Sequence, residues 1–189
     1  MRAMKPAELS KALDGLLARL NFQRHGISWV RSRGPFSDLI NLQRSKSLDE
    51  VTVNVGLMHA PTYEMAWGEA PTYPISEPEC IVRTRLGFLM NGRDHWWALD
   101  EPTAVASVVQ ALTSAALPFI SGFNDLKDVE RWLGSLPSNR YPPEALYLAA
   151  VKHQRGKREE AIEAVERLAR RLTSGAWSER ISKMGALLE

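Results

Sequence analysis

The sequence holds one cysteine, Cys80, among 189 residues. A lone thiol excludes an intramolecular disulfide and a multi-cysteine zinc site, and its isolation favours a reducing compartment. Histidine is scarce too. His25, His59, His95 and His153 are far apart and no two share a helix face, so no histidine metal motif forms. There is no glycine-rich phosphate loop, no His-Glu-x-x-His pair and no Gly-x-Ser-x-Gly elbow. No stretch approaches the roughly 20 apolar residues that span a bilayer. Arg2, Lys5, Glu8, Lys11, Asp14 and Arg19 interrupt the apolar run that a secretory signal requires. These absences lead us to expect a cytoplasmic protein with no membrane partner, no metal and no cofactor.

What is present is globular in composition, with 44% hydrophobic and 24% charged residues. The length suits one domain with an appendage, which we place at 1–139 and 140–189. The formal net charge is +2. Along the chain it is uneven: the balance is +6 over residues 1–46, −7 over 47–139 and +3 over 140–189. The basic residues are interspersed rather than gathered in a stripe, which argues against nucleic acid as a partner. The acidic middle reads either as solvated surface or as a patch that receives a basic protein.

Apolar spacing supplies the elements. Leu9, Leu13, Leu16, Leu17 and Leu20 behind Pro6 predict an amphipathic helix. Ile27–Arg31 and Leu39–Arg44 read as strands around a Gly34-Pro35 turn. Val51, Val53, Val55 and Leu57 alternate with Thr52, Asn54 and Gly56, which predicts a strand buried on one face. Residues 58–79 carry four prolines and no period. We expect an irregular loop in which Tyr63, Trp67 and Tyr73 contact a partner, while Glu64 and Glu69 attract it. Ile81–Met90 then reads as a strand that turns at Asn91-Gly92 into Trp96–Leu99, a β-hairpin. Helices follow: one from Pro102 ending at Leu117-Pro118, one capped by Asn124, and three more after Pro142-Pro143. The sum is an α+β fold, an antiparallel sheet of about five strands packed by an N-terminal helix and the following helices, with a C-terminal helical hairpin.

The densest polar cluster is Arg83, Arg85, Asp94 and His95 beside Trp96 and Trp97. Asn41, Gln43 and Asn54 alternate on neighbouring strands and line the same sheet face. Two guanidiniums, an orienting acid and an aromatic wall suit an anion or carboxylate site. A cross-strand salt bridge over a tryptophan core is the plainer alternative. Cys80 and Ser45 lack a base at a diagnostic spacing, so no catalytic nucleophile is assigned.

In the last 50 residues Leu148, Ala149, Gly156, Ala161 and Val165 resemble one tetratricopeptide hairpin, with departures at Lys152, Leu168 and Thr173. A single repeat cannot build a solenoid.

The ordered run of motifs resembles the bacterial family called domain of unknown function 4304. The run comprises Asn21-Phe22, Trp29-x-Arg31, Ile40–Ser45, Val53–Gly56, Arg85-Leu86-Gly87, Asp94–Trp97 and Leu117-Pro118-Phe119. Members usually have Gly-Phe where this chain has Asn21-Phe22. The resemblance implies a small cytoplasmic α+β protein with no assigned activity, and by analogy an immunity role beside a secreted toxin. The expectation is therefore a non-catalytic protein that binds and blocks a partner, such as a basic toxin domain. A small-molecule or anion enzyme at the Arg83/Arg85/Asp94/His95 face is the alternative. A nucleic-acid binder ranks third.

Overall fold

Helix α1, Pro6–Ala18, follows directly from its leucine stripe: Leu9, Leu13 and Leu17 are all buried. Each such side chain is worth about 1.5–3 kcal/mol relative to exposure. The computed structural model describes residues 6–47, 49–137, 141–172 and 175–188. The fold is α+β, as the sequence predicts.

Six strands form one sheet: β1 (Gln23–His25), β2 (Ser28–Arg33), β3 (Phe36–Arg44), β4 (Glu50–His59), β5 (Val82–Arg85) and β6 (Trp97–Ala98). The order is β1-β2-β3-β4-β5, and β6 also pairs with β4. The Gly34-Pro35 turn sets Arg33 opposite Phe36. Strand β4 takes β5 along its C-terminal half, with Asn54 opposite Arg85. It takes β6 at its start, with Val51 opposite Trp97.

One face of the sheet packs Trp29, Ile40, Val53 and Val55 against α1 and a long helical run. That run is α4 (Ala104–Ala111), one turn of π-helix (Leu112–Ala116) and α5 (Leu117–Ser121). Its 18 residues have a mean hydropathy of 1.6, longer and more apolar than the sequence reading allowed. Ala104, Val108, Ala111, Leu112, Ala116 and Ile120 are nevertheless buried in the protein. Leu117-Pro118 does not end the helix, contrary to expectation. Proline lacks an N–H and clashes with the carbonyl four residues back. Here the wider π turn precedes it, and Pro118 sits in the first turn of α5.

Three further expectations need correction. Strand β4 is buried on both faces, since Val51 through His59 all lie below the surface. Cys80 lies against Gly56, the Thr52 hydroxyl donates to the His95 carbonyl, and amide groups surround Asn54. The hairpin over Ile81–Leu99 does not form. β5 stops at Arg85, and Leu86–Asn91 is helix α3. Gly92, at φ 73°, is the left-handed C-cap of α3, and its N–H donates to the Phe88 carbonyl. Finally, residues 58–79 are not irregular throughout: Ala60–Trp67 is helix α2, and Glu77–Glu79 form a 3₁₀ turn.

The chain divides into two compact units. The sheet unit is Met1–Met58 with Thr72–Gly122, and the helical unit is His59–Pro71 with Phe123–Glu189. The helical unit thus takes α2 from the middle of the chain, besides α6 (Leu126–Ser135), α7 (Pro142–Gln154), α8 (Arg158–Arg171) and α9 (Gly175–Leu188). The cap of α6 is Asp125, one residue later than expected. Its carboxylate accepts from the N–H groups of Lys127 at 2.8 Å and Asp128 at 3.2 Å. Helices α7 and α8 form the expected hairpin around Gly156. Thr173 and residues 138–140, where the 139/140 boundary was drawn, lie outside the described residues.

Candidate functional site

Strand register brings most of the expected polar face together. On β3 and β4, the Asn54 amide donates to Asn41 Oδ1 at 3.0 Å and to Gln43 Oε1 at 3.1 Å. Asn41 in turn donates to Ser28 Oγ at 2.9 Å on β2. From β5, Arg85 Nη2 donates to Gln43 Oε1 at 3.4 Å, and Nη1 to Asp94 Oδ2 at 2.5 Å. The same Asp94 oxygen accepts from Trp96 Nε1 at 3.1 Å, while Oδ1 accepts from the His95 backbone N–H. The guanidinium lies 5.5 Å from the Trp96 ring centre. Arg85 and Asp94 keep about a third of their side chains in solvent. The pairing of Arg85 with Asp94 and its stacking on a tryptophan are thus as expected. They are achieved across helix α3 rather than across a hairpin.

Gly87 makes this possible. A side chain there would meet His95 N at 2.5 Å and Arg93 O at 2.7 Å. Only a residue without a Cβ lets the 93–95 backbone cross α3 so closely and return Asp94 to Arg85.

Two expected members stand apart. Arg83 Nε donates to Glu77 at 2.8 Å. The His95 ring packs edge-on to Trp97, centroids 4.4 Å apart, rather than toward Asp94 or Arg85. The Arg85 arrangement presents a guanidinium of five N–H groups fixed by two acceptors, beside an aromatic face. Cys80 is fully buried, and burial pushes its thiol above the usual range. Ser45 is engaged with Ser47 and Asp49 in the β3–β4 connection. Hydrogen bonds from those two serines hold the Asp49 carboxyl below its ordinary value.

The residues expected in the loop are dispersed. Trp67 Nε1 donates to the Tyr147 hydroxyl at 2.8 Å, and its ring packs on Trp177 at 6.1 Å. Tyr63 stacks on Tyr147 at 6.5 Å. Both rings are half-buried within the helical unit, and Arg180 lies over Trp67. Glu64 and Glu69 are exposed in that unit. Tyr73 belongs to the sheet unit, 69% exposed and edge-on to His25 at 5.5 Å. The charge asymmetry of the chain also disperses. The sheet unit holds twelve Lys/Arg against ten Asp/Glu, and the helical unit twelve against twelve.

Sequence reasoning missed a second polar cluster. Asp38 has no exposed surface and accepts from Arg31 Nε and Arg33 Nε, both at 2.8 Å. Its hydrogen bond raises the Arg33 pKa further. Arg31 also lies 4.6 Å from the Phe22 ring centre. Trp29 Nε1 donates to Asp14 of α1 at 2.8 Å. The signal was present in the alternation of Arg31 and Arg33 on β2, with Asp38 opposite Arg31 on β3.

Residues 13–121 match the profile of a domain of unknown function (DUF4304). The chain belongs to that family. Comparison with curated proteins and with solved structures gives no match. The DUF4304 match ends one residue before the sheet unit does. The run of motifs now has physical content. Asn21 takes the left-handed conformation at φ 62°, which asparagine tolerates better than most side chains. Trp29 and Arg31 lock the sheet to α1 and Asp38. Gly87 and Asp94–Trp97 build the Arg85 site.

Proposed function

We propose that this DUF4304 protein is a non-catalytic, intracellular binding protein that engages a partner protein through the polar sheet face and blocks it, as an immunity protein blocks a toxin domain. The observation that carries the reading is Arg85, held by Gln43 and Asp94 over Trp96 while still partly exposed. Arginine and tryptophan dominate binding hot spots, and a side chain fixed in advance loses little entropy on association. The acidic run around residues 47–79 is divided between the units, with Asp49, Glu50, Glu77 and Glu79 in the sheet unit and Glu64 and Glu69 in the helical unit. Recognition in this reading therefore rests on the sheet face rather than on charge steering.

The test is capture of the partner from the native host, followed by titration of the purified pair. Arg85→Ala and Trp96→Ala should each weaken binding by about 30-fold, the effect of losing about 2 kcal/mol at a hot spot. Tyr73→Ala should change it little. Equal affinity for all three variants would refute the reading.

A second reading, a carboxylate site at the same guanidinium, is favoured by the Arg85 N–H groups that neither Gln43 nor Asp94 engages. Titration of small carboxylates, followed by Trp96 fluorescence in wild type and Arg85→Ala, separates the two.

A further inference from the structure

The helical unit holds a groove whose floor and rim differ in chemistry. It lies between the end of α6, the start of α7 and the last turns of α8, with a volume of about 470 Å³. Leu133, Leu148 and Leu168 make an apolar floor. Arg167, Arg170 and Arg171 line it from α8, and all three are exposed. Arg170 has a loose contact to Glu166 at 3.7 Å. Glu144 also lines the groove, and its Oε2 is buried with no hydrogen-bond partner among the described residues. A buried acceptor in this position has lost its water without gaining a donor.

Each feature constrains an occupant. The floor takes apolar groups. The exposed guanidiniums of Arg167 and Arg170 in the rim take negative charge, preferably carboxylates. The orphan Glu144 oxygen takes an N–H or O–H donor. A fatty acid satisfies the first two, but it brings no donor, and its head repels Glu144. A peptide satisfies all three at once, through leucine-type side chains, Asp or Glu side chains, and backbone N–H groups. We propose that this groove docks an extended segment of a partner protein rich in leucine-type and acidic residues. The site goes beyond the sheet-face reading. It also lies outside the residues that match DUF4304, within the helical unit.

The experiment is a display selection of random twelve-residue peptides on the full chain. Enriched peptides are then labelled with fluorescein and titrated by anisotropy. Enriched sequences should combine Leu, Ile, Phe or Met with Asp or Glu. The exposed double charge reversal Arg167→Glu with Arg170→Glu should weaken them at least tenfold, while its circular dichroism and thermal melting stay as in wild type. Added salt should weaken them too. Leu148→Lys should abolish binding, and if that variant does not fold, the arginine pair still decides. Arg85→Ala should leave peptide affinity unchanged, which separates this site from the sheet face. The proposal is overturned by no enrichment over an unrelated protein, by enrichment of basic peptides, or by affinity indifferent to the charge reversal. Displacement of the peptide by dodecanoate would overturn it by assigning the groove to an acyl carboxylate.

Discussion

In the sheet unit Asp38 is completely buried and receives Arg31 and Arg33. In the helical unit Glu130 keeps 13% of its side chain in solvent and receives Lys152, Arg155 and Lys157. The number of cations would suggest that the second cluster is stronger. Burial suggests the reverse. Asp38 and its arginines lie within one hairpin, at Arg31 opposite Asp38 in register, and the register has set most of their geometry before the ion pairs form. Glu130 instead ties α6 to the end of α7 and to the turn that follows. Lys152 also has Glu160 as a second partner, and Lys157 is about a third exposed. If Glu130 is removed, its cations have water or another acid. If Asp38 is removed, two guanidiniums largely shielded from solvent lose their shared acceptor.

Asp38→Ala should therefore show the largest effect, a loss of about 3–5 kcal/mol in urea unfolding, as for other buried pairs broken on one side. Asp38→Asn should fall between it and wild type. Glu130→Ala should cost less, about 1–2 kcal/mol. Equal losses at the two sites would mean that depth of burial does not separate them.

The smallest effect sharpens the comparison from the helical side. His59 caps α2, its Nδ1 accepting from the Thr62 N–H at 3.3 Å. Burial holds its pKa below the ordinary value. The unfolded chain takes up a proton near pH 6.5, the folded chain only at lower pH. Between those values the unfolded state binds more protons, so stability falls as pH drops below about 6.5. His59→Asn keeps a capping acceptor and removes the titration. The difference in urea midpoint between pH 7.5 and 5.5 should be smaller in His59→Asn than in wild type.

Legibility varied from element to element. Alternation in Val51–Leu57 identified β4, and the spacing of Asn41, Gln43 and Asn54 correctly grouped three amides that do hydrogen-bond. Periodicity works there because each strand is paired along its length. It did not work where one residue type serves two structures. Asn91-Gly92 is a strong hairpin turn, but a left-handed glycine also ends a helix. The apolar run Leu86–Met90 is too short to tell strand from helix. Pro61 read as a breaker but occupies the first turn of α2, where a missing N–H costs nothing. Histidine is not among the usual N-caps, so His59 gave no warning. Without α2, Tyr63 and Trp67 read as loop aromatics rather than packing residues. Arg85 and Asp94 were paired correctly for a topology that does not form, because guanidinium and carboxylate seek each other over either path.

Helix α2 has a further consequence, in time rather than in space. It leaves the ribosome between two strands of the sheet unit, yet the groups that cover it come from the end of the chain. Trp67 is 80 residues ahead of the Tyr147 hydroxyl it donates to, and Thr62 is 92 ahead of Gln154. At 5–20 residues per second, Trp67 waits about 4–16 s for its partner. Within that interval the last residue of the sheet unit, Gly122, is added, while α2 still lacks its partners from α7 and α9. The nascent chain then carries a fully synthesised family domain and an α2 that still awaits Tyr147, Gln154 and Trp177.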